Sequence, residues 1–256
     1  MEYSLRHQFR LAPAPADSPP FQAAQARYAA RDLPQARYAA RDLPQARALC
    51  EQALAARPDD PAALHLLGVI LTQSGDPAAA VEPLQTAALL CADDGQIHYH
   101  LGNALLALGR DAEAATAFAQ ATALAPELAD AHNNRGNALR RMGRMLAALD
   151  AYRAALAARP GFAPALYNMG VALAGFGEFA AAIDCYRAVL AAPPAPGEAE
   201  KRPLVLESLA AALVERSEHE PAIAAVRAWL ALAPGAAKAE WNLSLSLLAL
   251  GRYAEA

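Results

Sequence analysis

Between residues 61 and 196 the apolar positions keep helical spacing. Leu101, Leu105 and Leu108 fall on one helix face, and Ala114, Phe118 and Ala121 on a face of a second helix. This two-helix pattern recurs every 34 residues, through Gly68, Gly102, Gly136 and Gly170 and again through Gly75, Gly109, Gly143 and Gly177. Leu71, Leu105, Leu139 and Leu173 keep the same step, as do Ala80, Ala114, Ala148 and Ala182. A large residue follows at Leu84, Phe118, Tyr152 and Tyr186, and proline recurs at Pro126, Pro160 and Pro194.

Each column has a steric reading. Gly102 falls where two helices cross, and a side chain there would hold them apart. Gly109 ends the first helix, because glycine accepts the left-handed cap conformation at little cost. Ala114 is small for the same reason on the second helix, and Phe118 fills the space between neighbouring repeats. Pro126 stops the second helix and starts the next unit. Each unit is therefore a helical hairpin that buries its faces only by stacking.

The segment 98–110 (HYHLGNALLALGR), continued to Pro126, resembles the tetratricopeptide-repeat (TPR) family. That resemblance implies an all-α fold, a right-handed superhelical solenoid of TPR hairpins, with no catalytic site of its own. Four regular units are expected at 61–196, as 61–94, 95–128, 129–162 and 163–196. A loop insert at 197–202 precedes a further unit at 203–236, with Ala210, Ala222 and Pro234 in the repeat columns, and an incomplete last unit at 237–256. Two departures stand out. Arg135 occupies the column of Leu67, Leu101 and Met169, so that site should be partly solvated, and Pro83 should kink the second helix of its unit.

Both ends are irregular. Residues 1–19 include an Ala/Pro stretch that reads as a flexible segment, and 20–60 form an irregular first repeat. Within it, residues 25–34 (QARYAARDLP) recur unchanged as 35–44, which reads as a slipped duplication forming a short extra helix. Asp32 with Gln35, and Asp42 with Gln45, offer capping boxes for the helices that follow. At the other end the last hairpin is half finished, which would expose Leu243, Leu247 and Leu248. The expectation is a fragment of a longer protein, with self-association through this end.

Composition narrows the partner class. The chain of 256 residues is 55% hydrophobic but only 6% aromatic, and its formal net charge is −4. That balance offers no basic surplus for phosphates, so nucleic acid is excluded as the main partner. No run reaches the ~18 apolar residues of a membrane span, and the first ten residues carry no signal sequence. A bacterial, cytoplasmic protein is expected. Cys50, Cys91 and Cys185 are odd in number and widely spaced, so neither a disulfide framework nor a zinc site is implied. Neighbouring His98 and His100 point in different directions on a helix, and no metal or other cofactor is expected. The small Arg140, Arg141 and Arg144 cluster reads as a solvated face.

In the TPR family the first helices line the concave face and bind extended peptides. Carried over to this chain, Asn134, Asn168 and Asn242 share one column, with His100 in the unit before, and Asn103 and Asn137 share a second. Rows of side-chain amides can pair with a peptide backbone, donating and accepting at each step. This looks like the asparagine ladder in the TPR arm of O-linked N-acetylglucosamine transferases. The neighbouring column holds His65, Tyr99, Asn133, Tyr167 and Trp241, of which Tyr99, Tyr167 and Trp241 suit side-chain contacts. A chaperone-type carboxylate clamp does not fit, since its cationic places hold Tyr99 and Pro164. The expected function is a scaffold holding a protein or peptide. The alternative is the substrate-recruiting arm of a larger glycosyltransferase, for which segments 132–139 (HNNRGNAL) and 241–252 (WNLSLSLLALGR) supply the resemblance. Reading the gene beyond codon 256 separates the two.

Overall fold

The computed structural model describes residues 36–193 and 199–255, with side chains from Leu43 onward. Residues 1–19, the first copy of the duplication with its Asp32–Gln35 box, Pro194 and Gly197 lie outside the described residues. Among those described are twelve α-helices and no strand. The chain divides into two compact units, Met1–Gly143 and Arg144–Ala256.

The first unit holds α1 (Ala36–Ala56), α2 (Pro61–Gln73), α3 (Pro77–Leu90), α4 (Gly95–Ala107), α5 (Asp111–Leu124) and α6 (Ala129–Arg141). The starts of α2, α3 and α4 are set by aspartates. The Asp60 carboxylate accepts from the Ala62 and Ala63 N–H groups, Asp76 from Ala79 and Asp94 from Gln96. Pro61 and Pro77 occupy first-turn positions where no N–H is needed. At the hairpin turn Gly109 takes φ +72°, and the Arg110 N–H reaches back to the Leu105 carbonyl. This six-to-one bond closes the α4 terminus as a Schellman motif.

Steric pairing of glycine with a large residue joins the α2–α3 and α4–α5 hairpins. A Cβ on Gly68 would lie 2.3 Å from Leu84 Cγ, and one on Gly102 would lie 2.6 Å from Phe118 Cε1. Phe118 and Leu84 are fully buried, as are Ala80 and Ala114. First helices of successive hairpins also touch, α2 with α4 and α4 with α6.

The duplication behaves differently from the expectation. No helix starts at the Asp42–Gln45 box; α1 runs unbroken through Pro44 for 21 residues. Proline forfeits only one backbone bond there, while Leu43, Ala46, Cys50 and Ala53 form a buried stripe that packs α1 on α2. In α3 the helix likewise continues through Pro83 to Leu90.

The second unit holds α7 (Met145–Ala158), α8 (Ala163–Gly175), α9 (Phe179–Ala191), α10 (Arg202–Glu215), α11 (His219–Leu232) and α12 (Ala237–Ala249). Gly170 repeats the pairing, its added Cβ falling 2.6 Å from Tyr186 Cε1. Within the insert a 3-10 turn at Ala199–Lys201 leads into α10, which begins at Arg202. The Arg202 guanidinium donates to the Leu190 carbonyl at 2.6 Å and the Ala192 carbonyl at 3.3 Å, so it caps α9 across the insert. After α10 the turn column holds Ser217 instead of glycine, at φ +60°.

On α12 the expected exposure is corrected. Leu247 is buried and Leu243 packs partly against the core, because α11 covers that side of the helix. Leu248 is exposed as expected, together with Leu245.

Candidate peptide-binding surface

The repeat geometry brings the amides of the first unit into contact. Asn103 on α4 and Asn134 on α6 differ by 31 residues, one repeat less a helical turn, so they meet across the two first helices. The Asn134 Nδ2 donates to Asn103 Oδ1 at 2.8 Å, and Asn133 Nδ2 donates to Asn134 Oδ1 at 3.1 Å. The amides thus form a relay that fixes their orientation. The Asn103 NH2 stays uncommitted among the described residues, on a half-buried side chain at the end of the relay. Asn137 is also half-buried, one turn along α6.

Beside the relay lies an aromatic cluster. His65 and His100 rings have centroids 5.0 Å apart, Tyr99 and His100 5.1 Å, and Tyr99 and Phe118 6.1 Å. Removal from water holds His65 well below the usual imidazole range, with the nearby His100 adding to it. The same desolvation pushes His100 down to about 4. Both rings are therefore neutral at pH 7, and the surface beside the asparagines carries no imidazolium. His65 and Asn133, drawn from one sequence column, are buried, and of that column only Tyr99 keeps a half-exposed edge in this unit.

Asn168, Tyr167, Asn242 and Trp241 belong to the second unit. Asn168 and Asn242 are half-buried and Trp241 is exposed. Tyr167 packs on Tyr186 with ring centroids 6.0 Å apart. Its hydroxyl lies 3.4 Å from Ser208 Oγ, which itself donates to the Leu204 carbonyl, so the tyrosine is the donor. Sequence reasoning missed Ser208. It stands in the asparagine column once the six-residue insert is subtracted, between Asn168 and Asn242.

Other candidate groups have local partners. His98 Nε2 donates to the Ala92 carbonyl at 3.1 Å, and His132 Nε2 to the Pro126 carbonyl at 3.0 Å. Each histidine braces the loop before its own helix. Arg141 pairs with Asp111 at 3.1 Å and donates to the Leu106 carbonyl, closing the end of α4. Cys50 and Cys185 are buried and Cys91 partly so, all three as free thiols, and burial pushes the Cys50 thiol up to about 12. No helix among the described residues is long and apolar enough to cross a membrane.

Residues 102–143 match a family model described as TPR repeat, and residues 133–199 one described as tetratricopeptide repeat. Residues 39–121 match the model of subunit 3 of the anaphase-promoting complex, cyclosome. No curated protein matches the sequence significantly. Among solved structures, MamA is 27% identical with a TM-score of 0.57, over 62% of this chain and 93% of that one. PilW, described as a widely conserved type IV pilus biogenesis factor, is 21% identical with a TM-score of 0.69, over 89% and 96%. YrrB, described as a TPR protein with an unusual peptide-binding site, is 18% identical with a TM-score of 0.58, over 79% and 96%. At these identities PilW and YrrB establish a likeness of fold.

Proposed function

We propose that this chain, whose residues 102–199 are tetratricopeptide repeats, is a protein-interaction scaffold that holds an extended segment of a partner protein on its first helices. The observation that carries this reading is the amide relay Asn133–Asn134–Asn103. It fixes the Asn103 side chain through its carbonyl and leaves the NH2 group to donate to a peptide carbonyl. A pre-oriented amide loses little freedom on binding, so more of its hydrogen-bond energy appears as affinity. Neutral His100 and Tyr99, backed by the buried His65 ring, make the adjoining surface aromatic and uncharged, which favours uncharged or apolar side chains on the bound segment. The peptide-binding site named for YrrB is consistent with this use of the fold.

Asn137, Asn168 and Asn242 extend the same reading to further repeats, with Tyr167 and Trp241 as side-chain contacts. A substrate-recruiting arm of an O-linked N-acetylglucosamine transferase would use the same amides in the same way. Peptides selected from a random display library on the intact chain test the binding reading. Affinity for the selected peptides should fall in the Asn134→Ala plus Asn168→Ala variant while the helical circular dichroism is unchanged. Equal affinity in that variant removes the asparagine ladder from the mechanism.

A further inference from the structure

The side of α6 that carries the amides ends on a cation. Asn133, Asn137 and Arg140 follow one another at i, i+4 and i+7, so they share one helix face, with Asn134 beside the first of them. A rise of ~1.5 Å per residue puts Arg140 about 9 Å along α6 from Asn134, the length of about three residues of extended chain. In the preceding repeat the place of Arg140 is held by Leu106, which packs partly buried against the core.

Arg140 differs from most arginines of its unit in what it meets. Arg47, Arg57, Arg110 and Arg141 are ion-paired to Glu51, Asp60, Glu113 and Asp111. Arg140 is half-buried and pairs with no carboxylate among the described residues, and its Nε–H is buried without a hydrogen-bond partner there. Arg135, also without a carboxylate among them, falls on a different face of α6. The last turn of a helix favours a cation, which suits an arginine at this place but leaves the Nε–H unanswered. A guanidinium partly withdrawn from water gains more from a carboxylate than one on an open surface, where screening leaves little.

We propose that Arg140 selects an acidic side chain, aspartate or glutamate, on the bound segment, about three residues from the backbone carbonyl that accepts from Asn103. The inference rests on the scaffold reading and adds to it the charge of the partner. Tyr99 and neutral His100 stand in the first half of α4 and Arg140 in the last turn of α6. The segment therefore carries an uncharged or apolar residue toward one end and its acid toward the other. With a net charge of −4, the chain as a whole disfavours an acidic run, so one placed carboxylate is what this cation selects.

The test uses peptides selected on the intact chain from a random display library, then synthesised with an amidated C-terminus so that only side-chain carboxylates are present. An Asp or Glu should recur at one place in the selected sequences. Replacing it by Asn or Gln should weaken binding roughly tenfold. Arg140→Gln should weaken binding of the acidic peptide as much, with no further loss when the two changes are combined. Arg140 has no ion pair for the substitution to break, so the helical circular dichroism should be unchanged. Selected peptides without a recurrent acid, or losses that add instead of coinciding, overturn the proposal. Asn134→Ala plus Asn168→Ala should weaken the acidic peptide and its amide counterpart alike. Loss of the acid preference therefore leaves the reading of the asparagines standing, whereas a library that yields no binder removes both.

Discussion

Gly102→Ala adds a single carbon at the crossing of α4 and α5. That carbon would lie 2.6, 2.7 and 2.9 Å from three ring atoms of Phe118, where ordinary contact needs well over 3 Å. Phe118 is fully buried, so admitting the carbon requires the ring or the helices that hold it to shift. Overpacking of this kind costs about 1–3 kcal/mol. Replacing glycine by alanine inside a helix returns about 1 kcal/mol, leaving a net loss of roughly 0–2 kcal/mol. Gly175→Ala is the control, since nothing lies within 4 Å of its added carbon and the residue is still helical. That variant should be neutral or gain up to about 1 kcal/mol. In a Phe118→Ala background the clash disappears, and Gly102→Ala should then cost nothing, a coupling that a double-mutant cycle reads directly. Urea unfolding followed by circular dichroism gives the midpoints. A Gly102→Ala midpoint above the parent's, or an effect of Gly102→Ala unchanged without the Phe118 ring, would refute the steric explanation of the repeat.

Three further outcomes are expected. Ser217→Gly should raise stability by roughly 1 kcal/mol, since Ser217 sits at φ +60° where the other hairpin turns have glycine, and the thermal midpoint checks it. Asp60→Ala, which removes the carboxylate accepting from Ala62 and Ala63, should cost about 1 kcal/mol in the same assay. His100 titrates near 4 when folded and at the ordinary 6.5 when unfolded, so the unfolded chain binds more protons between those values. Its contribution is fully present above pH 6.5 and lost as pH falls through 4. Unfolding midpoints should therefore drop between pH 7 and pH 4, and less steeply in His100→Leu.

The hairpin was legible in the sequence because its constraint is local and steric. A glycine facing a large residue leaves a mark at fixed positions, and Gly68, Gly102 and Gly170 do contact Leu84, Phe118 and Tyr186. The turn glycines were readable for the same reason. Which side chains of a first helix remain open was not readable, because that depends on the helix packed beside it. His65 and Asn133 share a column with exposed Trp241, yet both are buried. Leu247 was expected outside and lies inside for the same cause. The meeting of Asn103 with Asn134 joins two columns one helical turn apart, and a reading of single columns does not show it. The Asp42–Gln45 box reads as a helix start, but α1 runs through it, because the buried stripe from Leu43 to Ala53 outweighs the one backbone bond missing at Pro44.

Side-chain amide NMR of the intact chain, with a library-selected peptide titrated in, examines the binding surface atom by atom. The NH2 resonances of Asn103 and Asn134 should move together and saturate with the peptide's own binding curve. Resonances that stay fixed while the peptide binds would place recognition elsewhere on the molecule and contradict the proposed role of the first helices.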